Sequence, residues 1–234
     1  MRIFGSLLLL FSLVSAQPHF ILIGPPGSGK GTFSSYMKRV HGYYQICPGD
    51  ILRTHIKNET SLGVHIKPIV ENGNYIDDAI VLQIIDEHIS DCLANQIPFI
   101  IDGFPRSMAT LHALHAMFEK RNICDEIIFL HCIAPDELCI ERIEQRVVCF
   151  SCFEVYNNKT RKPQTARTCD RCGNSLESRL GDTHANTIKR LAYFRKNIEP
   201  LIDAAQKLNY NAISFNADAD IALSMQEYES LLHF

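Results

Sequence analysis

The sequence lacks three features that would each assign it to a broad class of protein. It has no internal repeat and no low-complexity tract, which argues against a solenoid or a linker-like chain. It has no excess of positive charge, since the net charge is −3, and so gives no electrostatic reason to expect a nucleic-acid partner. Its N-terminal apolar run ends at Val14 and is too short to span a bilayer comfortably, so no stable membrane span is expected. The 234 residues, 46% of them hydrophobic, suit one domain or one core that carries insertions.

The first seventeen residues, MRIFGSLLLLFSLVSAQ, have the pattern of a secretory signal. One cation, Arg2, precedes the apolar run, and small residues stand before a cleavage point after Ala16. The pattern favours a signal over an apolar leader with no role in export. We therefore divide the chain into a signal-like extension, residues 1–17, and a folded unit, residues 18–234.

Short, continuous apolar runs alternate with helical patterns along the folded unit. Continuous hydrophobicity is typical of parallel strands that are covered on both faces. The alternation predicts a doubly wound, parallel α/β sheet. Strands are expected at 19–23, 98–102, 126–132 and 211–215, and helices at 30–40, 77–94, 107–120, 135–146 and about 182–208. Residues 47–76, with two short helix-like pieces, and 147–181, polar and cysteine-paired, fit poorly and are interpreted as insertions.

The stretch GPPGSGKGT, residues 24–32, has the composition of a phosphate loop. It lies between a predicted strand and a predicted helix, which is the context that such a loop requires. Its glycines let the backbone approach an anion, the helix N-terminus supplies positive potential, and Lys30 adds a charge. A plain strand-to-helix turn is the weaker alternative. The hydroxyl comes one place later than in the Walker A pattern, at Thr32, because Gly31 follows Lys30.

A second signal is FIIDGFPRS, in which Asp102 ends a buried strand. Doubly wound folds place ligand-binding groups at that end of a strand, and a carboxylate there can hold Mg²⁺ through water. Arg106 follows the tight turn of Gly103 to Pro105 and is expected in the same crevice. Without the phosphate loop, the stretch would be interpreted as a strand-to-loop turn with a surface arginine.

Several arginines could surround a polyphosphate. Arg142 and Arg146 are four residues apart at a predicted helix end, which places them on one face. Arg179 and Arg190 flank the end of the polar insertion, and Arg53 lies in the first insertion. Each alone suggests a solvated surface charge, but together they supply the charge neutralisation that phosphoryl transfer needs.

Four of the nine cysteines form two Cys-x-x-Cys pairs. Cys149 and Cys152 are separated by sixteen residues from Cys169 and Cys172, a spacing that favours a structural, tetrahedral Zn²⁺ site. Disulfides, if the chain is exported, and a redox pair are the alternatives. The other cysteines are expected as small, buried apolar residues: Cys47, Cys92, Cys124, Cys132 and Cys139.

Taken together, these motifs resemble adenylate kinase of the bacterial long-lid type, with a zinc-bearing lid. GPPGSGKGT, GDILR, DGFPR, ERIEQR, the paired cysteines and RLGDTHANTIKRL occur in the order and spacing of that family, from about His19 onward. The resemblance implies a P-loop α/β fold with two mobile insertions, a monophosphate-binding segment at 47–76 and a lid at 146–182. It implies ATP + AMP ⇌ 2 ADP with Mg²⁺, in a monomer whose insertions close to exclude water.

The resemblance also implies roles for individual residues. Those expected around ATP are Gly27, Ser28, Gly29, Lys30, Gly31, Thr32, Arg142, Arg146, Val155, Tyr156 and Ala219. Those expected around AMP are Pro48, Arg53, Asn74, Tyr75, Ile76, Gly103, Phe104, Pro105, Arg106, Thr110, Arg179 and Arg190. The residues expected to act in catalysis are Lys30, Asp102, Arg106, Arg142, Arg146, Arg179 and Arg190.

The sequence departs from the family where the acceptor is recognised. Pro48 replaces a threonine, and Thr110 stands where the family has a glutamine that contacts the adenine edge. Gly181-Asp182 replaces an Asp-Asp pair, and Arg161-Lys162-Pro163 replaces Asn-Pro-Pro. Two other functions therefore stay open: a monophosphate kinase of broader acceptor specificity, and a low-turnover nucleotide-binding protein that is exported. ATP and four zinc-binding thiolates favour the cytoplasm, whereas the signal-like segment favours export. We expect a cytoplasmic protein, with export as the alternative if residues 1–16 act as a signal.

Overall fold

A computed structural model describes residues 17–217 of the chain. The strands are β1 His19–Ile23, β2 Tyr44–Ile46, β3 Phe99–Asp102, β4 Ile127–Ile133, β5 Arg146–Cys149, β6 Val155–Asn157, β7 Leu176–Glu177 and β8 Asn211–Asn216. The α-helices are α1 Lys30–His41, α2 Pro48–Lys57, α3 Ser61–Glu71, α4 Asp78–Ala94, α5 Met108–Arg121, α6 Asp136–Glu144, α7 His184–Tyr193 and α8 Leu201–Lys207.

Five parallel strands form the central sheet, in the order β2-β3-β1-β4-β8. Every residue of β1 and of β3 is buried, because helices cover both faces of the sheet. The predicted doubly wound sheet is therefore confirmed. Strand β2 was not predicted, because this edge strand has three residues and begins with the exposed Tyr44, so it forms no continuous apolar run.

The single long helix predicted for about 182–208 is wrong. The chain forms α7, then a π-helical turn at Phe194–Ile198, and then α8. Pro200 explains the interruption, because it has no N–H to donate to the preceding turn. The bonding pattern shifts just before it, where the N–H of Glu199 donates to the carbonyl of Phe194, five residues back, at 3.0 Å.

Two segments leave the sheet and face each other above it. The helical arm, residues 47–76, consists of α2 and α3, which cross closely at Gly63, where an added Cβ would lie 2.0 Å from the carbonyl oxygen of His55. The lid, residues 146–182, contains the small antiparallel sheet β6-β5-β7, which the sequence did not predict.

The scattered cysteines are only in part the buried residues that the sequence suggested. Cys92, Cys132 and Cys139 are buried, but Cys47 and Cys124 are half-buried. In the part of the chain that the structure describes, residues 17–217, no helix combines the length and the apolar character needed to cross a membrane.

Candidate active site

The crevice that contains most of the predicted site residues lies at the carboxyl ends of β1 and β3, between the helical arm and the lid. The loop after β1 forms its floor and ends at Lys30, the first residue of α1. Gly27 and Gly29 have φ angles of 88° and 98°, in the left-handed region that favours glycine. Gly27 also packs so closely on α6 that an added Cβ would lie 2.5 Å from the carbonyl oxygen of Cys139.

Lys30 is half-buried, with its ammonium folded back onto its own loop. Its ammonium donates to the carbonyl oxygens of Gly24, at 2.7 Å, and Pro25, at 2.8 Å. Burial lowers the pKa of Lys30, an effect that the nearby carboxylate of Asp102 partly opposes. The loop and its lysine therefore form one rigid cationic unit at a helix N-terminus, which is a geometry suited to phosphate.

Asp102 is the last residue of β3 and is buried beside this unit. Its carboxylate accepts a hydrogen bond from the side-chain amide of Gln45 at 3.3 Å. Burial raises the pKa of Asp102, whereas the charge of Lys30 lowers it. Asp102 and Thr32 both line the crevice, and a carboxylate and a hydroxyl are the oxygen ligands that Mg²⁺ prefers, so these residues fit the ion.

All six predicted arginines line the crevice: Arg53, Arg106, Arg142, Arg146, Arg179 and Arg190. The expectation that Arg142 and Arg146 share a helix face is wrong, because α6 ends at Glu144 and Arg146 begins β5. The two side chains reach the crevice separately. Arg142 is anchored by the carbonyl oxygen of Ala217, to which its guanidinium donates at 2.8 Å.

Two carboxylates that the site prediction did not include organise these arginines. Asp50 accepts hydrogen bonds from Arg53, in its own helix, and from Arg179, at the end of the lid, at 2.8 Å. Burial would raise the pKa of Asp50, but Arg179 and Arg53 together lower it to about 2. The signal was present in GDILR, where an aspartate precedes an arginine by one helical turn.

Asp182 likewise binds two arginines, on the lid side of the crevice. It accepts hydrogen bonds from the guanidinium of Arg146, from Nε at 2.9 Å and from Nη2 at 2.8 Å and 2.7 Å, and lies 3.5 Å from Arg190. A single aspartate in the Gly181-Asp182 pair therefore binds both arginines. The two aspartates together bind four guanidiniums that line one crevice.

Several predicted residues do not line the crevice. Phe104 and Ile76 are buried in the core, and Ser28 lies behind the loop, where its hydroxyl faces the Lys30 ammonium at 3.4 Å. Pro48 is buried as the first residue of α2, and the amide oxygen of Asn74 accepts a hydrogen bond from Lys189. Ala219 lies outside the described residues. Apart from Thr110, the remaining predicted residues line the crevice: Gly27, Gly29, Lys30, Gly31, Thr32, Tyr75, Asp102, Gly103, Pro105, Val155, Tyr156 and the six arginines.

The Thr110 side chain does not line the crevice, because it caps the N-terminus of α5. Its hydroxyl accepts from the backbone N–H groups of Arg106, at 3.0 Å, and Ser107, at 2.9 Å, and donates to the carbonyl of Ser107. Together with the Ser107 hydroxyl this forms a capping box. The Thr110 side chain is 2% exposed and has no free hydrogen-bonding capacity for a ligand.

The lid contributes Phe153, Asn157, Thr160 and Arg161 to the crevice beside the predicted Val155 and Tyr156. Arg161 lies over the Tyr156 ring, 5.4 Å from its centroid, and donates to the Val155 carbonyl oxygen at 2.7 Å. No motif could have identified these four residues, because only the folding of the small lid sheet turns them towards the crevice.

The four paired cysteines form one cluster behind the lid sheet. Their sulfur atoms lie within 4.8 Å of one another, with Cys149 and Cys172 at 3.4 Å and Cys152 and Cys169 at 3.5 Å. These separations exceed a disulfide bond of about 2.05 Å and suit four ligands at about 2.3 Å from one zinc ion. The cluster therefore fits a tetrahedral Zn²⁺ site.

Comparisons with known proteins identify the family. The adenylate kinase family model matches residues 22–210. The chain is 35% identical to the adenylate kinase of Borrelia turicatae over 201 residues, which are 86% of this chain and 92% of that protein. It is 33% identical to that of Archaeoglobus fulgidus over 218 residues (92% and 97%) and 36% identical to that of Caldicellulosiruptor bescii over 186 residues (78% and 84%). The chain therefore belongs to the adenylate kinase family.

Proposed function

We propose that this crevice carries out the reaction of the family, the transfer of a phosphoryl group from ATP to AMP to give two molecules of ADP, with a defined role for each residue group. As a family member, the chain is a phosphotransferase rather than a low-turnover binding protein. The observation that carries the residue roles is the convergence of Lys30 and six arginines on one crevice. The charge that a polyphosphate develops during transfer is neutralised by such a set of fixed cations.

The donor half of the site is assigned to the phosphate loop and the lid. The loop, residues 27–32, would hold the ATP phosphates on backbone N–H groups and the Lys30 ammonium. Arg142 and Arg146 would contact the same phosphates, while Val155 and Tyr156 would cover the nucleotide from the lid. Because Asp182 already fixes Arg146, that arginine loses little freedom when ATP binds.

Asp102 and Thr32 are proposed to hold the Mg²⁺ that accompanies ATP. When bound, the ion supplies charge neutralisation on the donor phosphates. Asp102 would act through water and Thr32 through its hydroxyl, since both line the crevice beside Lys30. Burial raises the pKa of the Asp102 carboxyl, and a cation bound beside it would lower that pKa and stabilise the carboxylate.

The acceptor half is assigned to the helical arm and the β3 end. Arg53, Arg106, Arg179 and Arg190 would bind the AMP phosphate or the phosphoryl group in flight. Asp50 binds two of them, Arg53 and Arg179, and so holds both guanidiniums at this end of the crevice. The backbone of residues 74–76 and of Gly103 to Pro105 would border the nucleotide.

Closure of the helical arm and lid is proposed to exclude water, so that ATP donates to AMP and not to solvent. The contacts between the two segments support this proposal. Arg179 reaches Asp50 across the gap at 2.8 Å, and the Lys57 ammonium lies 5.6 Å from the centroid of the Phe150 ring in the lid.

Zinc at the four cysteines is proposed as structural, since a four-thiolate site leaves no position open for a substrate. Thiolates on zinc and ATP as substrate both suit a reducing cytoplasm, and we propose that the enzyme works there as a monomer. The signal-like residues 1–16 lie outside the described residues. N-terminal sequencing of the protein from its native cells tests the localisation, because a mature start at Gln17 would contradict it.

A broader acceptor specificity is favoured by one observation. The Thr110 hydroxyl is fully used in the capping box, and Pro48 is buried with no N–H to offer. A coupled assay that compares AMP, GMP, CMP and UMP tests both functions. We expect AMP to be preferred by a narrow margin. Equal kcat/KM for all four would contradict AMP specificity, and no metal-dependent transfer to any of them would overturn the proposed function.

A further inference from the structure

Tyr75, in the helical arm, contacts Arg106, one of the arginines assigned to transfer. It lies between α3 and α4, and its ring lines the crevice. The Arg106 guanidinium carbon lies over that ring, 4.6 Å from the centroid. Burial raises the pKa of Tyr75, and the positive charges of Arg190 and Arg106 partly oppose that shift.

The stack on Tyr75 is one of two constraints on the Arg106 side chain. The other is the hydrogen bond from its Nε to the carbonyl oxygen of Gly103, at 2.9 Å. A guanidinium with one face on an aromatic ring and its Nε bonded to a carbonyl has its plane fixed. This arrangement leaves the Nη groups of Arg106 for a ligand in the crevice that it lines.

The tyrosine itself is held in place from outside the helical arm. The ring of Tyr193, at the end of α7, lies 4.5 Å from the Tyr75 ring, centroid to centroid. The Tyr193 hydroxyl also donates to the backbone carbonyl oxygen of Arg106 at 3.5 Å. The neighbouring Asn74 is bound by Lys189 of α7. In this arrangement the Tyr75 ring packs against α7, on which its segment of the helical arm is docked.

We propose that Tyr75 is a positioning residue, whose ring sets the guanidinium of Arg106 in the orientation that phosphoryl transfer needs once the helical arm has docked. The inference rests on the proposed function. It assigns to the side chain a role separate from any contact of the 74–76 backbone with the acceptor. A group that orients one transfer cation affects kcat more than substrate affinity, because a displacement of about 1 Å costs about a hundredfold in rate.

Two substitutions and a double-mutant cycle test the proposal, with AMP and ATP varied separately. Tyr75→Leu should lower kcat roughly ten- to hundredfold and change the KM for ATP by less than about twofold. Tyr75→Phe, which keeps the ring, should retain kcat within about threefold. In an Arg106→Lys background, which has no planar guanidinium to stack, Tyr75→Leu should add less than about twofold.

The alternatives give different results. If the ring instead stacks on the acceptor base, Tyr75→Leu raises the KM for AMP more than for CMP, and the effect persists in the Arg106→Lys background. If the role is only structural, Tyr75→Leu lowers the thermal midpoint and the loss of kcat again persists. Either result overturns the proposal. Tyr44→Leu, an edge-strand tyrosine outside the crevice, is the matched control. Activity of the unaltered enzyme with AMP tests the proposed function separately.

Discussion

The central sheet and the lid are held together by different forces. The largest apolar cluster spans the sheet and its helices and includes Ile21, Phe99 and Phe129, all fully buried. The lid cluster consists of only Cys149, Tyr156, Cys169 and Leu176, of which two are candidate metal ligands. Apolar burial is sufficient for the sheet, whereas we expect a segment with so small a core to depend on the proposed zinc ion and on ion pairs within the lid.

This difference makes metal removal the most damaging change for the lid and a mild one for the sheet. Chelation, or Cys169→Ser, should unfold the lid, because a structural zinc site supplies on the order of 10 kcal/mol at neutral pH. Limited proteolysis should then cut within residues 146–182, while circular dichroism retains the signal of the sheet and its helices. Cys124→Ser, outside the cluster, is the control. A single transition in which lid and sheet unfold together would contradict the comparison.

Lys30→Met tests the sheet side of the comparison, where the site is preformed. The variant should lose about a thousandfold in kcat, since it removes a fixed cation from the phosphates. The thermal midpoint should change little, because the loop is also held by its own backbone, for example by the hydrogen bond from the Ser28 N–H to Pro25. Lys38→Met, exposed on the same helix, is the matched control. Retained activity in Lys30→Met would contradict the role assigned to the loop.

The same difference explains how much could be predicted from the sequence. The sheet was predictable because β1, β3 and β4 are continuous apolar runs, and the phosphate loop because its glycines and lysine follow β1 directly. The lid sheet was not, since β7 has two residues and β6 three. Residues such as Asp50 and Thr110 depend on tertiary partners. The pairing of Asp50 with Arg53 is visible in GDILR, but the second partner, Arg179, comes from the lid. The use of Thr110 in a helix cap is likewise not visible in the DGFPR motif.

Asp50→Asn tests the link between helical arm and lid. The depressed pKa of Asp50, about 2 against an ordinary 3.8, corresponds to about 2 kcal/mol of stability. That contribution is fully present above pH 3.8 and is lost as the pH falls towards 2. In this range the unfolded state binds the proton more readily than the folded state does, so acid favours unfolding. Urea denaturation should therefore show a gap of about 2 kcal/mol between the unaltered protein and the variant near pH 7 that narrows near pH 3.

The control for that measurement is Asp91→Asn, an exposed aspartate on α4, which should leave the free energy of unfolding within about 0.5 kcal/mol of the unaltered protein. A gap that stays constant between the two pH values would show that the Asp50 carboxylate contributes nothing through its charge. The two guanidiniums of Arg53 and Arg179 would then be held by other contacts.

Lys57→Met should have the smallest effect, because it removes a single contact that exists only when helical arm and lid meet. The Lys57 ammonium lies over the Phe150 ring at a solvent-exposed position, where such a pair contributes about 0.5–1 kcal/mol. Losing it should raise the KM for both substrates about two- to fivefold through a less favourable closure, without a fall in kcat, because opening limits turnover in many enzymes of this kind. Steady-state kinetics with each substrate varied in turn measures both constants. A tenfold loss of kcat would mean that the pair takes part in assembling the reacting groups. The lid could then no longer be described as a segment that only closes weakly over a site preformed on the sheet.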